Sequence, residues 1–338
     1  MTPGAFHPEP VEPVPAEPVP VEPVPVEPVP VEPVPVEPLP MGPAPVGPAP
    51  VEVVRPGALT TVQDFGRPGF AHLGVPASGA LDPLACALAN RLVGNEESAA
   101  VLESTVDGVG LRFGQASVIA VTGARATVHV DGHVSAWGLP VFVKAGSVVD
   151  VGSADAGVRS YLAVAGGFEV ASTLGSRSTD LLSGLGPPVL RAGQRLAVGL
   201  PRRPPPAIDF APYPLPGSEL VLPLHPGPRR DWLTEQGRLD LFARSYRVSP
   251  VSNRIALRLS GQPLERRVGE ELPSEGIVWG SVQLLNSGEI LVFLADHPTT
   301  GGYPVIAVLD RAAASDCAQA RPGTLVTLRR AAPSSTAW

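Results

Sequence analysis

Six short stretches concentrate the side chains that could do chemistry. They are "GALTTVQDFGRPG" from Gly57, "GVPASGALD" from Gly74, "GSRSTDLLSGLG" from Gly175, "SNRIALRLSG" from Ser252, "SEGIVWGSVQL" from Ser274 and "ADHPTTGGYPVIA" from Ala295. Each mixes Thr, Ser, Gln, Asn or Arg with glycines, so backbone N–H groups and short side chains can converge on an anionic or amide ligand. Any one of them can equally be a turn with satisfied caps. Six in one charge-balanced body point to a polar cleft. Lys144 is the sole lysine, so positive charge rests on Arg, whose planar fork suits carboxylate or phosphate. Codon bias toward Arg accounts for the same imbalance.

The standard chemistries find little support. The one lysine lies in "VFVKAGS", outside any G-x-x-x-x-G-K-[ST] loop. Ser78 in "GVPASGALD" is not framed as G-x-S-x-G and reads as a hydrogen-bonding turn residue. His129 and His133 in "HVDGH" have metal-pair spacing, but the flanking alternation and Asp131-Gly132 mark a hairpin turn. No other His/Cys cluster exists, so no metal site is assigned. Biotin attachment needs a Lys between Met residues, and neither Met1 nor Met41 lies near Lys144, so no biotin is expected on this chain. Cys86 and Cys317 are far apart and read as free thiols, Cys86 within a small-residue helix.

The elements that must position these stretches divide the chain. Residues 1–50 repeat VEPVP-type units, where proline removes donors and fixes φ, and are expected to form a disordered, semi-rigid polyproline tail. Its seven Glu equal the formal net charge of −7, leaving 25 acidic and 25 basic residues in the rest. That balance argues against a nucleic-acid footprint. No basic-then-apolar leader and no apolar run of about 18 residues occurs, so a soluble cytoplasmic protein without membrane contact is expected. The proline cluster at 201–216 reads as a linker between domains at 51–200 and 217–331, with 332–338 as a C-terminal tail. Val-rich alternation over 116–152 and short apolar runs such as "RSYLAVAGGF", "EILVFLADH" and "GTLVTLRRA" predict a mainly β fold of closed or partly closed barrels. "LDPLACALANRLVGN" predicts a helix with Asp82 as N-cap, Pro83 at its first position and an apolar face of Leu84, Leu88 and Leu92. A second helix, "RRDWLTEQGRLDLFARS", is expected to open the second half.

The polar stretches together carry a resemblance. "GxxTTVQDxGRxG…GVPxSGAxDxxAxxxANxLVGN…LE" is matched from Gly57 to Glu103, and "SRSTD" (176–180), "SNR" (252–254), "SEGxxxGxxQ" (274–283) and "TTGGYP" (299–304) follow in order. The chain resembles the biotin-dependent carboxyltransferase family, also called allophanate hydrolase subunit 2, over about residues 53–329. Stand-alone members of that family are the C subunit of 5-oxoprolinase and the Kip-type antagonist of a sporulation kinase inhibitor. The resemblance implies two tandem cyclophilin-like β-barrel domains. It further implies partner subunits A and B, the latter of allophanate hydrolase subunit 1 type, and opening of the 5-oxoproline lactam to L-glutamate with ATP and Mg²⁺. Phosphorylating the lactam oxygen would make a poor electrophile reactive, leaving the protein to position groups and stabilise charge.

Within that reading Arg67, Arg177 and Arg254 are candidate phosphate or carboxylate clamps, or else ion-pair partners. Asp64, Glu275 and Asp296 are candidate acid–base groups or Mg²⁺ ligands, or else turn caps. Thr60, Thr61, Gln63, Ser78, Asn253, Gln283, Thr299 and Thr300, with Gly301 and Gly302, can line a lactam or phosphate site, and Tyr303 can supply a wall with a polar tip. Replacing Arg67 or Arg254 by Ala is expected to lower turnover without loss of folding. Two other readings stand beside this one: carboxyl transfer to urea or a related amide from a separate biotin carrier, and non-catalytic antagonism of a kinase inhibitor.

Overall fold

The alternation over residues 116–152 folds into strands. In the computed structural model, which describes residues 50–215, 217–267, 269 and 272–332, the first half carries ten strands. These are β1 (Val51–Arg55), β2 (Thr60–Gln63), β3 (Val101–Thr105), β4 (Gly110–Phe113), β5 (Ser117–Val130), β6 (His133–Ser135), β7 (Val141–Val143), β8 (Val148–Val164), β9 (Phe168–Glu169) and β10 (Arg195–Val198). The tail expected over 1–50 lies outside the described residues, apart from Pro50, and so does most of 332–338.

One sheet unites these strands in the order β2-β3-β8-β4-β1-β10-β9, with β5 on β8 and β6 and β7 on β5. The 17-residue β8 is its axis: β4 pairs with its start, β3 with its end and β5 along its length. Val, Leu, Ile and Phe from these strands form the first core. The Asp131-Gly132 hairpin forms as expected, with φ of 50° and 79°, and His129 and His133 stand near its exposed turn.

Helix α1 (Pro83–Leu92) has the expected start, the Asp82 carboxylate accepting from Ala85 N at 2.9 Å and Pro83 in the first turn. Its buried face differs from expectation. Leu84 is 65% exposed, and the helix buries Ala85, Cys86, Ala89 and Leu92 against Val101, Ala120, Tyr161 and Ala163. Small side chains let the helix approach β5 and β8 closely, so Ala85, Cys86 and Ala89 join Leu92 in the core, Leu88 packs at its margin and Leu84 alone of the expected Leu face is left out.

The second half contains β11 (Glu219–Pro226), α2 (Glu235–Ala243), β12 (Ser245–Val248), β13 (Ala256–Ser260), β14 (Glu275–Gly276), β15 (Ser281–Leu284), β16 (Ile290–Phe293), β17 (Thr300–Gly301), β18 (Val305–Val308), α3 (Arg311–Asp316) and β19 (Leu325–Arg330). Seven of these strands close a barrel in the order β11-β18-β15-β16-β13-β12-β19, and the parallel pairing of β11 with β19 completes the ring. This half opens on a strand rather than the expected helix. The helical stretch breaks into a short 3₁₀ turn at Arg230–Trp232 and α2, because Thr234 caps a fresh start by accepting from Gly237 N at 2.9 Å. Helix α3, capped by Asp310, is too short to leave a periodic signal.

Between β10 and β11 the proline-rich segment has no regular element. It is nevertheless docked. Tyr213 packs edge-on against Trp137 with ring centroids 6.3 Å apart, and its hydroxyl donates to Asp82 Oδ2. No helix among the described residues is long and apolar enough to cross a membrane.

Candidate functional site at the seam of the two halves

The "TTVQDFGRPG" and "GSRSTD" stretches meet because Asp64 ties them. Its Oδ1 accepts from Gly66 N at 2.8 Å and from the Ser176 and Ser178 hydroxyls at 2.6 Å each, and its Oδ2 accepts from Arg177 N at 2.6 Å. A carboxylate with four donors is an organiser of loops. Gly66 is required there: its φ is +83°, and a Cβ would lie 2.5 Å from the Ala77 and Ser78 carbonyl oxygens. Arg67 follows, 1% exposed, donating to the Ser178 carbonyl and to Thr173 O at 3.4 Å. Burial lowers its pKa against the pull of Asp180, Asp64 and Asp296.

The second half enters through Arg254 and Asp296. Arg254 sends Nε to Asp296 Oδ2 and Nη2 to Asp296 Oδ1, both at 2.9 Å, Nη1 to Glu103 and Nη2 also to Gly79 O at 2.7 Å. Asp296 further accepts from the Ser78 hydroxyl at 2.7 Å and from Leu181 N at 3.2 Å. Arg254 and Glu103 are 1% exposed and Asp296 is 0% exposed. Burial alone would lower the Arg254 pKa, but Glu103 and Asp296 outweigh it and raise it. Ser78, held at φ 54°, thus reaches across the seam.

Sequence reasoning gave no site role to three members of this junction, although Glu103 closes the matched motif. Glu103 Oε2 accepts from Leu81 N at 3.0 Å and from the Tyr161 hydroxyl at 2.9 Å. Arg159 lies 3.7 Å from Glu103 and donates through Nη1 to Ala318 O at 2.7 Å. Gln319 clasps the other face, its Oε1 accepting from Val158 N and Arg159 N at 3.0 Å each. The available signal was a charge next to apolar strand residues, Glu103 after "VL" and Arg159 after Val158. His297 is a fourth: it is buried, its Nδ1 sits 2.7 Å from the Pro298 carbonyl, and Asp296 and Asp180 lie nearby. A carbonyl can only accept, so Nδ1 carries the proton and Nε2 of the neutral ring is left as an acceptor. Burial lowers the imidazole pKa and favours that neutral form.

The structure therefore gathers Gln63, Asp64, Arg67, Ser78, Arg254 and Asp296, with Thr60 and Thr61 buried beside them on β2. Thr60 donates to Pro56 O, and Thr61 accepts from Gln63 Nε2. Glu275, Gln283, Thr299, Thr300, Gly301, Gly302 and Tyr303 form a separate group. There Glu275 pairs with Gly301 and ion-pairs with Arg229, which lowers its pKa. Thr299 O accepts from Ile277 N, and Gln283 Nε2 donates to Tyr303 O at 2.8 Å. Arg177 and Asn253 are exposed, Arg177 donating to Val170 O and Asn253 closing a local turn through Ile255 N. Where an open cleft was expected, the polar groups meet in a closed junction. Three of its atoms, Gln63 Oε1, Arg67 Nη1 and Arg159 Nε, are buried without a hydrogen-bond partner. One is an acceptor and two are donors, so the junction retains unfilled capacity for both.

A family model described as "Carboxyltransferase domain, subdomain A and B" matches residues 73–330. The chain belongs to the carboxyltransferase domain family. It is 38% identical over 265 residues to the C subunit of 5-oxoprolinase from Escherichia coli, covering 77% of this chain and 84% of that protein. It is 32% identical over 297 residues to urea amidolyase of Saccharomyces cerevisiae, covering 81% of this chain but 16% of that one. The crystal structure of the K. lactis urea amidolyase superposes with a TM-score of 0.79 at 29% identity, over 85% of this chain and 19% of that chain. The chain thus spans under a fifth of these urea amidolyases.

Proposed function

We propose that this chain is the C-type subunit of an ATP-dependent 5-oxoprolinase, acting with A- and B-type partners to open the 5-oxoproline lactam to L-glutamate. One observation carries the reading: the match to the C subunit of E. coli 5-oxoprolinase takes in 84% of that protein, so the two chains are alike as whole subunits. At the seam, the unpartnered Arg67 Nη1 and Gln63 Oε1 leave one donor and one acceptor unused next to the cluster of Arg254, Glu103 and Asp296. In this reading the junction positions and polarises.

Two acids of the seam, Asp64 and Asp296, are not free to hold a magnesium nucleotide. Among the described residues no three His, Cys, Asp or Glu side chains cluster for a metal ion, and Asp64 and Asp296 are taken up by internal donors and by Arg254. No step here is routed through ATP.

The test is glutamate release. Co-purified with its A- and B-type partners, the chain should support glutamate formation from 5-oxoproline only when ATP is present, and omission of this chain should abolish it. ATP-independent release, or release without this chain, would refute the reading. The similarity to urea amidolyases favours a second reading, carboxyl transfer to urea or a related amide from a separate biotin carrier. Incorporation of labelled bicarbonate into a urea-derived product, without glutamate release, would establish it instead.

A further inference from the structure

Beside the closed junction lies a cavity of about 280 Å³ walled by both halves of the chain. From the first half come Leu59, Thr105, Val106, Val158, Arg159 and Leu181; from the second, Arg254, Leu257, Leu294 and Cys317 are among the contributors. Val106 and Leu181 are exposed and stand at its open side, whereas Arg159, Leu257, Leu294 and Cys317 are buried. Its walls are mostly hydrocarbon. The polar exceptions include two hydroxyls, Thr105 and Ser252, and two guanidiniums, Arg159 and Arg254.

The guanidiniums differ in what they have left to give. Arg254 is committed to Asp296, Glu103 and Gly79 O. Arg159, 6% exposed, directs Nη1 to Ala318 O, and its Nε has no hydrogen-bond partner, only a 3.7 Å approach to Glu103. An under-partnered buried cation is costly, and a ligand acceptor would relieve it. The sign of that acceptor follows from the charges around it. Two arginines face two carboxylates, Glu103 and Asp296, so the cluster is already neutral. A carboxylate set against Arg159 would add a third negative charge beside Glu103, whereas an uncharged carbonyl oxygen would not. The hydroxyls can accept an N–H.

We propose that this cavity binds a small lactam or amide ring: the carbonyl oxygen takes up the unfilled donor capacity of Arg159, the N–H meets a hydroxyl, and the methylenes lie against the apolar wall. Any carboxylate on the ring points to the open side between Val106 and Leu181. The proposal rests on the reading of the chain as a lactam-opening subunit and names where the ring is held.

The full-length chain should bind both 2-pyrrolidinone, a lactam without a carboxylate, and 5-oxoproline in ligand-observed NMR titrations. Leu59→Trp, which fills the cavity, should raise both dissociation constants at least tenfold, and so should Arg159→Lys, which keeps the charge and loses Nε. Binding of 5-oxoproline without 2-pyrrolidinone would overturn the uncharged-carbonyl assignment, and unchanged binding in folded Leu59→Trp would overturn the location. Should either variant fail to fold, a crystal of the wild-type chain soaked in 2-pyrrolidinone decides: density beside Arg159 supports the site, and density only elsewhere overturns it. Glutamate release that is unaffected in a folded Leu59→Trp complex would remove the cavity and leave the oxoprolinase reading intact. Ring binding beside Arg159, in a complex that releases no glutamate, would do the reverse.

Discussion

Arg254 and Asp296 form a two-pronged pair, Nε to Oδ2 and Nη2 to Oδ1 at 2.9 Å each, and the same guanidinium reaches Glu103 of the first half. Both acids are sealed from water with it. One residue thus bridges two buried carboxylates contributed by different halves, with Arg159 supplying the second positive charge, which makes it a keystone of the seam rather than a free clamp. The sequence-based expectation that Arg254→Ala would spare folding is accordingly revised.

Removing that guanidinium strands Glu103 and Asp296 in a low-dielectric interior. Arg254→Met should destabilise the chain by about 3–5 kcal/mol, the range for breaking a buried ion pair from one side. Urea denaturation measures it. A loss below about 1 kcal/mol would mean that water reaches the seam.

His297 makes stability depend on pH. Burial, ahead of the nearby carbonyl and carboxylates, holds its pKa below the ordinary 6.5. The folded chain therefore resists a proton that the unfolded chain accepts. Its contribution is fully present above about pH 6.5 and is lost as the pH falls through the lower folded value. His297→Gln should flatten the acid limb of a plot of melting temperature against pH. An identical acid limb in the variant would contradict the assignment.

The two thiols should be silent in the folded state. Burial raises the Cys86 pKa well above its ordinary value and pushes that of Cys317 up to about 12, and neither forms a disulfide. Since the thiolate is the reactive form, a thiol reagent should label neither cysteine in native buffer and both in denaturant. Rapid native labelling of either would show that its surroundings open.

The close seat of α1 is also testable. Ala89→Leu, on the buried stripe, should destabilise by about 1–3 kcal/mol through overpacking. Leu84→Ala, on the exposed side, should change stability by no more than about 0.5 kcal/mol. Equal effects from the two would place the helix in another rotation.

What the sequence disclosed was what local chemistry controls. Asp82 before Pro83 marks a helix start wherever it occurs, and Asp131-Gly132 turns a hairpin because both residues tolerate positive φ. Gly66 and Ser78 stood out because they belong to polar, glycine-linked stretches. Side choice was harder to read. Leu84 continues the stripe of Leu88 and Leu92 in the sequence, and only the nearness of β5 and β8 leaves it outside while Ala85, Cys86 and Ala89 go in. Glu103 and Arg159 were hidden for a related reason: each is a buried charge on a strand, and its partners lie far away in sequence. Likewise Asp64, Arg67, Asp296 and Arg254 look alike as isolated letters. Their difference lies in the count of partners, which leaves Arg67 Nη1 open while Arg254 is fully engaged.

The most direct measurement is glutamate release from 5-oxoproline and ATP by the reconstituted complex carrying Arg67→Lys. This variant keeps the charge but loses the unpartnered Nη1 together with the Nη2 and Nε bonds to Ser178 O and Thr173 O, so turnover is read only from a complex shown to be folded and assembled. Turnover should fall at least tenfold. Wild-type turnover in a folded, assembled Arg67→Lys complex would contradict the claim that the seam is where this subunit acts.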